Sequence, residues 1–91
     1  IFDNDAIIFE NLNSSKVTLK CSKSTRELSM DYSRFPFIAF WSKSKAPFVC
    51  IEPWYSHTDF EKNEVPFEKR EGTILLDEND SWQTAYSITL F

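Results

Sequence analysis

The stretch FPFIAFWSKSKAPFVCIEPW, residues 35–54, holds two apolar runs divided by a polar connection. Successive side chains of a strand point to opposite faces. In Phe35 to Trp41 both parities are apolar, so both faces of that strand are expected to be covered. Ser42 to Ala46 is polar, and Pro47 stands where a strand tolerates proline, at its start. Phe48-Val49-Cys50-Ile51 is again apolar on both parities, Glu52 ends the run and Pro53 stops it.

Outward from this centre the patterns are short and of period two. Val17, Leu19 and Cys21 alternate with Thr18 and Lys20, and Leu28, Met30 and Tyr32 alternate with Glu27, Ser29 and Asp31. With the polar turn Ser22 to Thr25 between them, they read as a hairpin of half-buried strands. Ala6-Ile7-Ile8-Phe9 and Thr73-Ile74-Leu75-Leu76 read as short strands, and Trp82 to Leu90 is the longest clean alternation. Residues from Trp54 to Pro66 read as a long loop, and Gly72, the only glycine, marks a turn or bulge. There is no helical periodicity, repeat or interdomain linker. About seven short strands between turns argue for an all-β sandwich, or a part of one.

Composition agrees. Of 91 residues, 16% are aromatic, a load suited to pleated and half-buried surfaces. The net charge of −4 and the scattered basic residues Lys16, Lys20, Lys23 and Arg26 offer no stripe to follow a phosphate backbone, so no nucleic acid is expected as a partner. No apolar run approaches the ~20 residues of a membrane span, so no membrane is expected either. Cys21 and Cys50 are too few for a disulfide framework and read as reduced core residues, which points to a cytoplasmic protein. The chain opens Ile1-Phe2-Asp3 without Met, and is read as a start within a longer polypeptide.

Glu52 breaks the apolar pattern. It shares parity with Phe48 and Cys50, and Ile51, Pro53 and Trp54 surround it. Burying an unpaired carboxylate is costly, whereas a partly desolvated one is suited to proton transfer near neutrality. A pocket is therefore expected at the strand end, walled by Trp41 and Trp54. The plainer alternative is a glutamate bonded to a backbone amide or an arginine, and spacing alone favours it.

APFVCIEPW, residues 46–54, resembles the signature around the catalytic glutamate of the aldose 1-epimerase (galactose mutarotase) family, closest to its LacX-like branch. IFDNDAIIF (1–9), FPFIAFWS (35–42), EKREGTILL (68–76) and the final alternating strand resemble family segments in the same order, so the likeness covers nearly the whole chain. The resemblance implies that residues 1–91 are a single segment, the C-terminal part of a galactose-mutarotase-like β-sandwich (supersandwich), packed against the missing N-terminal part of the same protein. It implies interconversion of the α and β anomers of a free aldohexose such as galactose or glucose, without cofactor or metal. Glu52 matches the general base that takes the anomeric proton. The histidine acid lies upstream in the family, so this chain alone is expected to be inactive. The alternative is a carbohydrate-binding β-sandwich without turnover.

Asp5 matches an acidic position that hydrogen-bonds sugar hydroxyls, although a turn-capping role is as good. Trp41 and Trp54 are candidates to stack on a sugar face, with one of them expected in the core. His57, the only histidine, is expected to be exposed on a loop. A metal site of Glu52, His57 and Asp59 is not expected. Two departures from the family pattern stand out. Tyr55-Ser56-His57-Thr58-Asp59 lacks the usual glycine, which bears on substrate preference, and Asp77-Glu78-Asn79-Asp80 replaces a Pro-Gly-Glu turn.

Overall fold

A computed structural model describes residues 6–57 and 65–91. Asp5 and Asp59 lie outside the described residues. The fold is all-β: two three-stranded antiparallel sheets and a single 3-10 turn, Phe67–Lys69, among the described residues. No helix among them is long and apolar enough to cross a membrane.

The first sheet has the order β1 (Ile7–Glu10), β4 (Phe37–Trp41), β5 (Cys50–Trp54). The second has the order β2 (Lys16–Lys20), β3 (Glu27–Asp31), β6 (Ser87–Leu90). The chain therefore changes sheet three times, after β1, after β3 and after β5. Such crossing between two layers is how a sandwich-like fold lets each sheet draw strands from distant sequence.

The strand that is apolar on both parities is the centre of the first sheet, flanked by β1 and β5. Phe37, Ile38 and Ala39 are 3%, 1% and 0% exposed. Two parities are buried at once, as the continuous apolar run requires. The second sheet separates its faces by register. Val17, Met30 and Ile88 align across the strands, as do Leu19, Leu28 and Leu90. Thr18, Ser29 and Thr89 align on the other face, where Thr18 Oγ1 and Ser29 Oγ lie 2.9 Å apart.

The sheets are tied together beyond the strand ends. Tyr55, just past β5, packs its ring on Phe35 at 4.7 Å and on Trp82 at 4.8 Å, and Phe35 also meets Tyr86 at 6.4 Å. Tyr55 Oη and Thr84 Oγ1 share a 2.8 Å hydrogen bond. Ser14 Oγ and Tyr32 Oη, 2.7 Å apart, tie the β1–β2 link to the β3–β4 link, two of the three that cross between sheets.

Four expectations are corrected. Glu52 and Pro53 do not end the strand: β5 begins at Cys50 and runs through both to Trp54. Proline is tolerated because β5 is an edge strand, where a missing N–H can face away from the ladder. Thr73–Leu76 forms no strand, and Leu75 and Leu76 are 65% and 56% exposed, since a short apolar run without an adjacent ladder leaves its backbone groups to water. The final alternation from Trp82 is a strand only over Ser87–Leu90, because Trp82, Thr84 and Tyr86 serve the Tyr55 cluster instead. Cys21 is exposed rather than core, at the turn after β2, while Cys50 is half-buried; both are free.

Candidate functional site

Residues opposite one another in an antiparallel pair share a face. On β5, Cys50 faces Trp41, Glu52 faces Ala39, and Trp54 faces Phe37. On β1, Ile8 faces Ala39 and Glu10 faces Phe37. One face of the first sheet thus carries Glu52 with Ala39 and Ile8 beside it, Cys50 and Trp54 along its own strand, and Trp41 on the diagonal. The sequence-predicted residues Glu52, Trp41 and Trp54 are brought to one surface.

Ala39 is the neighbour across the ladder. Its methyl group, opposite Glu52, is fully buried at 0% exposed, so the carboxylate stands beside a closed part of the core. The carboxylate is half-buried, and its Oε1 accepts a hydrogen bond of 3.3 Å from the Trp54 indole Nε1–H. A neutral donor on one oxygen leaves the other oxygen available to accept. Trp41 is half-buried and packs on Phe48 at 5.8 Å, which fixes the aromatic wall on the other side of Glu52.

His57 is not the exposed loop residue that its position suggested. Its side chain is only 10% exposed. The ring stands edge-on to Phe37 with centroids 4.8 Å apart, and Nε2 lies 3.1 Å from Glu71 Oε2. Phe37 is one rung from Ala39 on the Glu52 face, so His57 closes that end of the surface.

The return of the chain over the end of β5 creates this arrangement. After the Phe67–Lys69 turn, Arg70 N–H bonds Phe67 O at 3.2 Å, and Gly72 adopts φ +80° against the Tyr55 carbonyl. A Cβ at Gly72 would fall 1.9 Å from Tyr55 O, so no other residue fits without a shift of the backbone. Between the returning segment and β5 lies an open cleft of about 500 Å³ lined by Trp54, Tyr55, Ser56, His57 and Arg70. It is shallow and open to solvent, and Trp54 belongs both to the cleft and to the Glu52 hydrogen bond.

Sequence reasoning missed Tyr55, Ser56, Arg70 and Glu71 as members of this region. The one signal for them was Gly72, whose need for a close approach was legible while the segment it approaches was not. No group of metal-ligating side chains is present among the described residues.

Over 99% of its length the sequence is 36% identical to Protein LacX, chromosomal, of Lactococcus lactis subsp. lactis. The chain is LacX-like. It is also 35% identical to Protein LacX, plasmid, of the same organism, again over 99% of its length. The LacX-like chain spans 30% of the length of both relatives. No family model and no solved structure matches it.

Proposed function

We propose that this LacX-like segment supplies the general base of a sugar mutarotase of the aldose 1-epimerase kind. The observation that carries the reading is Glu52: a half-buried carboxylate on strand β5, flanked by Trp41 and Trp54 and held through one oxygen by an indole N–H. A base of this kind removes the proton from the anomeric hydroxyl of a free aldohexose while an acid protonates the ring oxygen. The C1–O5 bond then breaks, the C1–C2 bond rotates, and ring closure on either face gives either anomer. The tryptophan faces suit the C–H surface of the sugar, and the Glu52 oxygen not bonded to Trp54 takes the proton.

The acid is proposed to be a histidine outside these residues. His57 is already engaged by Glu71 and Phe37, so it serves better as a wall than as the acid. The remainder of a longer protein, about as long relative to this chain as in LacX, is proposed to complete the site and the supersandwich. Neither a cofactor nor a metal is needed for the reaction.

Polarimetry on freshly dissolved α-D-galactose tests the reading with the full-length protein. Glu52→Gln is expected to lower the enzymatic rate by roughly 10²–10⁴-fold, the usual worth of a positioned base. Unchanged mutarotation in that variant would sink the assignment. A full-length protein that binds galactose without accelerating its mutarotation favours the second reading, a carbohydrate-binding sandwich.

A further inference from the structure

Glu71 reaches the end of the Glu52 face for a local reason. Arg70 to Thr73 is a tight turn, closed by the Thr73 N–H on Arg70 O at 3.1 Å and braced by Thr73 Oγ1 on Phe67 O at 3.0 Å. Gly72 is its third residue, with φ +80°, the positive value that a type II turn needs there. The same glycine lets the turn close onto the Tyr55 carbonyl, where a Cβ would collide. The turn is thereby fixed against the end of β5, and Glu71, its second residue, is delivered to His57.

From Glu71 the contacts continue to Glu52. His57 Nε2 lies 3.1 Å from Glu71 Oε2, and the His57 ring stands edge-on to Phe37. Phe37 is 3% exposed and pairs with Trp54 across the β4–β5 ladder, so their side chains are neighbours on one face. Trp54 shares the cleft lining with His57, and its indole N–H donates to Glu52 Oε1 at 3.3 Å. That distance is just beyond the usual range for N–H···O bonds, so a small rotation of the indole is enough to break it. The ring must therefore be held in place by what surrounds it.

We infer that the Glu71–His57 pair is a clasp that aims Glu52, acting through Phe37 and Trp54. It rests on the reading of Glu52 as general base and adds two positioning residues to it. An ion pair with one exposed member contributes little to stability. Its consequence lies in where it sits, at the end of the face that carries the carboxylate.

Mutarotation of α-D-galactose by the full-length polypeptide tests the clasp. His57→Phe keeps a ring against Phe37 and removes the bond to Glu71. Glu71→Ala removes the same bond from a side chain that is 64% exposed, so the fold is expected to survive it. Both variants are expected to lower kcat by on the order of tenfold and to leave KM within about twofold, since a misaimed base costs the transition state and not binding. Glu71→Gln can still bond Nε2 and is expected to keep most of the parent's kcat. In a Glu52→Gln background, His57→Phe is expected to cost nothing further. The Trp54 indole N–H signal in NMR spectra, identified by its loss in Trp54→Phe, is expected to move in His57→Phe and in Glu71→Ala.

Unchanged kcat with an unmoved indole signal overturns the inference while the base assignment stands. A raised KM at constant kcat also overturns it, because His57 is then a substrate contact. A parent protein without turnover, or one indifferent to Glu52→Gln, removes the base assignment itself, and the clasp falls with it.

Discussion

The two sheets are built from the same chain by the same antiparallel pairing, yet one closes a core and the other does not. At the centre of the first, Phe37, Ile38 and Ala39 are almost wholly out of water. In the second, the central strand buries Ser29 and Met30, while every residue of β6 is exposed. The difference follows from the patterns. A run apolar at both parities is covered on both faces, whereas in the alternating second sheet Met30 is covered on the central strand and Ile88 and Leu90 on the edge strand are not. Burial, and not strand length or hydrogen bonding, separates the regions.

Truncation should expose the contrast most strongly. Ile38→Ala is expected to destabilise the chain by about 2–5 kcal/mol, the range for removing a buried aliphatic side chain. Leu90→Ala, with the side chain 74% exposed, should stay within about 0.5 kcal/mol. Urea unfolding followed by tryptophan fluorescence measures both, and equal losses would abolish the distinction between the sheets.

Gly72→Ala should come next, at about 2 kcal/mol or more, because its φ of +80° and the Tyr55 carbonyl both oppose a Cβ. The same variant should loosen the cleft beside Trp54. Thermal melts together with quenching of tryptophan fluorescence by acrylamide report the two effects, and a stable variant with an unchanged cleft would show that the returning segment does not position it.

Tyr55→Phe removes the hydrogen bond with Thr84 while keeping the ring in its aromatic cluster. A loss of about 1 kcal/mol is expected. Hydrogen exchange should then quicken in β6, which that segment leads into, more than in β4. Uniform quickening would mean that the cluster does not join the sheets.

The smallest effect concerns acid. The Ser33 hydroxyl first, and then the Ser33 backbone N–H at 2.9 Å from Oδ1, hold the Asp31 carboxyl below the ordinary carboxylate range. A depressed value in the folded state gives stability that is present above the unfolded value and lost as pH falls through the folded one. Asp31→Asn should therefore lose a little stability at pH 7 and show a shallower decline in acid. Parallel pH–stability curves for the two proteins would remove Asp31 from the account.

Much of this was legible in the residues. The hairpin of β2 and β3, the buried run at Phe37–Trp41 and the grouping of Glu52 with aromatic neighbours follow from parity alone, and parity is fixed by the geometry of an extended chain. His57 and Cys21 were misplaced for one reason: both lie outside strands, where neighbours in space are set by how the chain returns. Glu71 reaches His57 across fourteen positions, a relation that no local pattern encodes. Pro53 misled in a related way, because whether a proline ends a strand depends on which edge of the sheet it faces.

The sequence by itself determined the strand-forming runs of β1 to β4, the face each of their side chains takes and the place of Glu52 in an apolar run. Tertiary structure decided which strands became neighbours, that Glu52 lies within β5 opposite Ala39, and that Trp54 holds its carboxylate. The physical reason is range. Alternation is enforced between adjacent peptide units, whereas sheet partnership depends on burying apolar surface contributed by residues far apart in the chain.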